Sequence, residues 1–247
     1  MQIKLHFAIC ILQFLSCRNC KLQNANCTSQ VGAVRGKQEW VVLRLAGSLL
    51  RFTFLWGTAL ILWFIFIFGG AEYVTARRSF RVRLHLTAEL DLPFVPGMVG
   101  YMAIYPVIWA GPFILRSRRQ IAALIATLAA VIAVAGICFL LFPGELLFPT
   151  PPDMGVWTGL VQFAKWVALR HNLMPSLHVA MSSVCLLIYA SRAGQVGKLL
   201  LALVAAVIGL SALLLHQHYL IDVVTGYALA WAAACWIYPR LTRVQSS

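Results

Sequence analysis

The strongest constraint on this chain is a series of uninterrupted apolar runs, each close to the length at which an α-helix crosses a lipid bilayer. A bilayer core ~30 Å thick and a helical rise of ~1.5 Å per residue require roughly 20 mostly apolar residues per crossing. Six runs approach this: 52–70, 93–115, 121–142, 174–190, 199–215 and 219–238. The fourth and fifth are short and would draw on flanking residues at the membrane interface. All six are continuous rather than alternating, which excludes a transmembrane β-barrel. With 61% hydrophobic and 11% charged residues among 247, the chain also lacks the polar surface of a soluble domain. The expected fold is all-α, an integral membrane bundle of about six transmembrane helices over 46–247.

Residues 1–45 stand apart as an N-terminal tail. Its apolar stretch 5–15 is too short to span and follows Lys4, a signal-like pattern; a disordered tail is the alternative. Cys17, Cys20 and Cys27 do not make a metal site at that spacing, and no histidine but His6 lies near them. Cys138, Cys185 and Cys235 fall in three separate runs, where packing accounts for them, and an odd total of seven implies no disulfide framework.

The net charge of +13 raises the question of nucleic acid, and its distribution answers for a membrane. If six helices alternate in direction, the segments 35–51, 116–120 and 191–198 and the tail after Tyr238 share one face. Eleven of the 20 Lys and Arg lie there, against six on the opposite face. The positive-inside rule makes the richer face cytoplasmic. Arg77, Arg78, Arg81 and Arg83 crowd the other face; snorkelling to lipid headgroups and holding an anionic substrate are both open to them.

Rare ionisable groups concentrate near the end of the chain. His171, His178, His216 and His218 lie within 48 residues, and Asp222 is the one acidic residue after Asp153. A carboxylate at the start of a membrane helix costs a few kcal/mol when deep, so it is usually paired and functional. His218 precedes Asp222 by four residues, one helical turn, so the carboxylate is placed to hold one imidazole nitrogen and free the other as a nucleophile. Counting ~18 Å down from His178 and ~30 Å back up to His218 returns both histidines to one face. In front of His178, Asn172 and Ser176 are capping residue types and Pro175 suits a first helical turn. A helix start there would turn free amides toward an anion, with Arg170 just upstream to grip phosphate oxygens.

The segment Met174, Pro175, Ser176, Leu177, His178, Val179, Ala180, with His218, Tyr219, Leu220, Ile221, Asp222 and Val223 forty residues later, resembles the type 2 phosphatidic acid phosphatase and vanadium haloperoxidase superfamily. The leucine before His178 and the pair His216 and His218 resemble its inositol phosphorylceramide synthase-like branch. So do Asp91, Pro93, Phe94 and Pro96, then Tyr101 and Tyr105, and Phe148, Pro149, Pro151 and Pro152. The resemblance implies that His218 attacks phosphorus to form a phosphohistidine, that Asp222 orients it, and that His178 protonates the leaving oxygen, with no metal and no cofactor. Two departures stand out. The superfamily's first motif, a lysine followed seven residues later by Arg-Pro, is absent, and Ala212 stands where an arginine is usual. Arg170 is the first substitute for these phosphate-binding cations, followed by Lys165 and the arginines at 77 to 83.

The expected activity is that of a phosphatase or phosphotransferase acting on lipid-linked phosphate, the site facing the extracytoplasmic side of the plasma (inner) membrane. The expected phosphate-binding residues are Arg170, Asn172, Ser176 and Lys165, the expected partners a lipid phosphate and the bilayer, and no nucleic acid is expected. Head-group transfer to a lipid acceptor and a non-catalytic lipid-phosphate carrier are the alternatives. The topology predicts that a cysteine placed at Thr158 reacts with a membrane-impermeant thiol reagent in intact cells; protection until lysis would invert the assignment.

Overall fold

The computed structural model describes residues 47–83, 85–94, 98–148, 155, 158–159, 162 and 170–244. The N-terminal tail with its four cysteines, Lys165, and Pro96, Pro149, Pro151 and Pro152 lie outside the described residues. Leu49–Ser247 forms one compact unit, distinct from Met1–Ser48, and it is the unit described below.

Among the described residues the regular structure is helical, with a single isolated β-bridge between Val82 and Gly144. The helices are α1 (Gly47–Thr75), α2 (Val99–Trp109), α3 (Gly111–Ile114), α4 (Arg118–Leu141), α5 (Leu177–Ala190), α6 (Gln195–Leu214) and α7 (Leu220–Arg243). Four of them, α1, α4, α6 and α7, are long and apolar enough to cross a bilayer; α2 and α5 are apolar but shorter. The fold is therefore an all-α membrane bundle; among the described residues four of its helices have the length for a full crossing, and the other two apolar helices, α2 and α5, are shorter than the six expected spans would require.

The second expected span is interrupted for a chemical reason. Pro106 and Pro112 carry no amide hydrogen and their rings crowd the carbonyl four residues back. The helical hydrogen bonding of α2 is accordingly interrupted by a turn at Ala103, three residues before Pro106, and the helix ends at Ala110, where Pro112 enters the first turn of α3. The other ends follow ordinary rules. Ser117 caps α4 by accepting the Gln120 amide, and Phe142 ends that helix just before Pro143.

Burial separates the inner helices from the outer ones. In its most apolar window α4 has 44% of its residues buried, against 6% for α1. Val131, Ile132, Ala135 and Phe139 of α4 meet Val184, Cys185 and Ile188 of α5 in the core. The outer side of α1 presents Phe54, Leu55, Leu62 and Phe66, as a helix facing lipid does. Trp63 of α1 anchors to α4 by donating its indole hydrogen to the Ala129 carbonyl at 3.1 Å.

Two glycines illustrate the close helix contacts. A Cβ at Gly136 of α4 would lie 2.3 Å from the Ile67 side chain of α1, and a Cβ at Gly226 of α7 would lie 2.8 Å from the Ser176 carbonyl at the head of α5. Small residues at such crossings let backbones approach and gain dispersion contacts that bilayer burial alone does not supply.

The end of the bundle that holds the C-termini of α1, α4 and α6 also holds the N-termini of α5 and α7. Loops there are stitched together: Val82 N–H donates to the Pro143 carbonyl (2.8 Å), Gly144 N–H to the His171 carbonyl (3.0 Å) and Leu147 N–H to the Tyr219 hydroxyl (2.7 Å). The arginines at 77 to 83 serve this end. Arg77 donates to the Tyr73 carbonyl at 2.7 Å and covers the Tyr73 ring, Arg81 donates to the Thr75 carbonyl at 3.0 Å, and Arg78 reaches the Leu140 carbonyl. These are the orphan carbonyls at the C-termini of α1 and α4, where positive charge is favoured. Arg83 pairs with Glu145 at 2.8 Å.

Gly226→Val is expected to destabilise the bundle by about 1–3 kcal/mol through overpacking against the Ser176 backbone. Gly70→Ala, whose Cβ meets nothing within 4 Å, should leave stability unchanged or slightly raised. Thermal unfolding of both variants in detergent checks the contrast.

Candidate active site

The site is assembled where α5 and α7 begin. Ser176 is the N-cap of α5, its hydroxyl accepting the Val179 amide at 3.4 Å, and its own N–H donates to the Asp222 carbonyl at 2.9 Å. Ser176 is thus spent on holding α5 against α7 and is fully buried. Pro175 lies before the helix rather than in its first turn. His178, one residue into α5, stacks on Tyr101 of α2 with ring centroids 3.8 Å apart. Its Nε2 donates to the Tyr101 carbonyl at 2.6 Å.

Asp222 is 2% exposed and acts first as a cap. Its Oδ2 accepts the Tyr219 amide at 2.9 Å, closing the N-terminus of α7. His218 Nδ1 lies 3.5 Å from the same oxygen, too far for a good hydrogen bond but close enough for the carboxylate to orient the ring. His218 is not on the helix with Asp222, as i and i+4 spacing suggested; it precedes the Tyr219 N-cap, its amide donating to the Ala212 carbonyl at 3.3 Å. A second carboxylate completes this cap: Glu89, 7% exposed, accepts the Leu220 amide on Oε1 and the Leu86 amide on Oε2, each at 2.6 Å.

The turn that presents His218 is tight. His216 adopts φ 54°, a conformation that costs a non-glycine residue ~1–3 kcal/mol. Surrounding contacts hold it there: Nε2 donates to the Leu92 carbonyl at 3.0 Å, and the ring stacks on Phe148 with centroids 4.3 Å apart. His216 is a scaffold of the turn.

His178 and His218 line one cavity of about 290 Å³, together with Asn172. Asn172 is 2% exposed; its Nδ2 donates to the Phe68 carbonyl at 2.7 Å, within the π-helical turn Ile65–Gly69 of α1, while its buried Oδ1 has no hydrogen-bond partner. The loop that carries it is fixed by Glu72. That carboxylate accepts the Arg170 amide (3.4 Å), the His171 amide (3.1 Å) and the His171 ring Nδ1 (2.8 Å). Arg170 itself is exposed and is not among the residues lining the cavity. No Lys or Arg is, among the described residues, and Lys165 lies outside them.

Ala212 explains why an arginine has no room in α6. It is fully buried in a cluster with Tyr101, Val179, Leu215 and Val223. Beside it α2 presses onto α6 so closely that a Cβ at Gly100 would lie 2.2 Å from the Ser211 hydroxyl.

Sequence reasoning missed Glu72, Glu89 and Tyr101 as site-building residues. The two glutamates carried a usable signal: the chain has only seven acidic residues, so each one flanked by apolar sequence is a candidate for a buried, paired role. Tyr101 was visible only as part of the segment that resembles the synthase-like branch; its stacking on His178 depends on how α2 meets α5.

With this geometry in place, comparison with known proteins is specific about one region. Residues 145–245 match the family model of the PAP2 superfamily, the superfamily that the histidine motifs resemble, and the match contains His178, His218 and Asp222. No curated protein matches the chain, and no solved structure does.

The shared cap yields a measurable consequence. Asp222→Ala and Glu89→Ala should each cost about 1–2 kcal/mol of stability, and the double variant should cost less than the sum because both groups serve adjacent amides of one helix end. Asp222→Asn retains an oxygen for the Tyr219 amide and should unfold close to the wild type. Unfolding in detergent of the four proteins measures the coupling.

Proposed function

We propose that this protein is a membrane-embedded phosphatase or phosphotransferase acting on lipid-linked phosphate through a phosphohistidine intermediate, at the extracytoplasmic face of the plasma (inner) membrane. The observation that carries the reading is that His178 and His218 meet at the polar end of one cavity, with Asp222 beside the His218 Nδ1. The PAP2 match over those residues supports the same chemistry.

In this reading Asp222 keeps the proton of His218 on Nδ1, so Nε2 carries the lone pair that attacks phosphorus. The bond from phosphorus to the lipid oxygen breaks as the bond to Nε2 forms, and that oxygen takes a proton from His178. The Tyr101 carbonyl holds the Nε2 proton of His178, which leaves Nδ1 to carry the transferable one. In the second step water, or an alcohol in the transferase variant, attacks the phosphorus of the phosphohistidine; the bond from phosphorus to His218 Nε2 breaks, freeing the neutral imidazole, and the proton of the attacking oxygen passes to His178 Nδ1. Catalysis rests on positioning and on preorganised dipoles, as phosphoryl transfer requires. Asn172 Oδ1, an acceptor without a partner, suits a hydroxyl on the phosphoryl group or on the attacking molecule.

One observation favours a second reading. The described cavity lining holds no cation to neutralise phosphoryl oxygens, which suits a non-catalytic lipid-phosphate carrier.

Leaving-group chemistry separates the roles of the histidines. General acid catalysis contributes ~10² to 10⁴-fold, so His178→Ala should lose about that much on an alkyl phosphate and far less on an activated aryl phosphate. His218→Ala should lose activity on both and form no covalent phosphoenzyme. Turnover of each variant on each substrate is the measurement; equal impairment of His178→Ala on the two, with aryl activity surviving in His218→Ala, would reverse the assignment. A wild type that releases no phosphate and forms no new phospholipid would favour the carrier.

A further inference from the structure

The cavity that ends at the histidines continues far beyond them. Its outer wall is one stripe of α1, formed by Thr53, Gly57, Leu60, Ile61, Phe64 and Phe68, spaced as successive turns of one helix face. Opposite stand Ile121, Leu124, Ile125 and Leu128 of α4, again one face, and α2 closes a third side from Tyr101 to Trp109. Asn172, which bonds the Phe68 carbonyl, marks the polar end. From Phe68 to Thr53 is 15 residues of α1, about 22 Å along the helix at ~1.5 Å per residue. Beyond the polar end the lining is almost wholly apolar. At about 290 Å³ the space lies at the lower edge of the ~300–1,000 Å³ range for small-molecule sites, room for one extended chain rather than two.

We propose that this cavity holds a single hydrocarbon chain of the substrate, phosphate at His178 and His218 and chain running between α1, α2 and α4, and that Gly57 sets how long a chain is accepted. The inference rests on the lipid-phosphate reading above and adds where the lipid lies and which residue selects it. Gly57 lines the cavity 11 residues before Phe68, about 16 Å from the polar end. A Cβ there meets nothing within 4 Å, so a larger side chain at this lining position starts into open space. A long chain must pass Gly57; a short one ends before it.

Two measurements test this on the purified full-length protein. Hexadecyl phosphate with a photoreactive diazirine on its terminal carbon should label the deep end, around Thr53, Ile121 and Leu124. Labelling confined to the lipid-facing residues Leu55, Leu62 and Phe66 would overturn the proposal. In parallel, Gly57→Phe should weaken deep-end labelling and raise KM for hexadecyl phosphate about tenfold, the loss expected when two or so methylenes leave an apolar site. It should leave octyl phosphate within about twofold. Ala59→Phe, on the exposed side of α1, should change neither. Equal effects of Gly57→Phe on both chain lengths, or none, would refute the length selection. Deep-end labelling without phosphate release from either substrate would refute the phosphatase reading and leave the chain site standing; phosphate release with labelling only outside would do the reverse.

Discussion

The site depends on one contact, the approach of α7 to the head of α5. Gly226 has no side chain, so the α7 backbone comes close enough to meet the Ser176 carbonyl and Val179. At that separation the Ser176 amide finds the Asp222 carbonyl, and the two helix starts are joined by a backbone hydrogen bond. His178 and Asp222 are then held in one place by main chain, whose position does not depend on side-chain rotamers. Such rigidity suits chemistry that proceeds by alignment of the reacting atoms.

Charge in this apolar molecule is used locally. Asp222 and Glu89 take the orphan amides at the start of α7, Glu72 gathers the loop bearing Asn172, and the arginines from 77 to 81 take the orphan carbonyls at the ends of α1 and α4. An unpaired polar group in such surroundings costs several kcal/mol, so each helix end near the site recruits a partner of the opposite sign. The same economy gives the arginines from 77 to 81 a structural role at these helix ends.

The departure at Ala212 also has a packing cause. Where the superfamily resemblance led one to expect a cation, α2 lies against α6 through Gly100 and buries Ala212 beneath Tyr101. The same placement of α2 stacks Tyr101 on His178 and lines the cavity from Tyr101 to Trp109. The burial of Ala212 and the positioning of the histidine both follow from the placement of α2.

Composition and run length by themselves determined the membrane class and the helical fold, because the bilayer imposes a length and a polarity that can be counted along the chain. Because a rare ionisable group in apolar sequence is informative without coordinates, the histidine and aspartate spacing singled out His178, His218 and Asp222 as candidates, and the structure brings them together. What only the tertiary structure decided was partnership. That Ser176 caps α5, that Arg170 lies outside the described cavity lining, and that Glu89 serves a helix 131 residues away follow from which elements meet. The break in the second span lay between these cases: Pro106 and Pro112 were visible, but a membrane helix can absorb proline when neighbours satisfy the freed carbonyls, and the sequence does not say who the neighbours are.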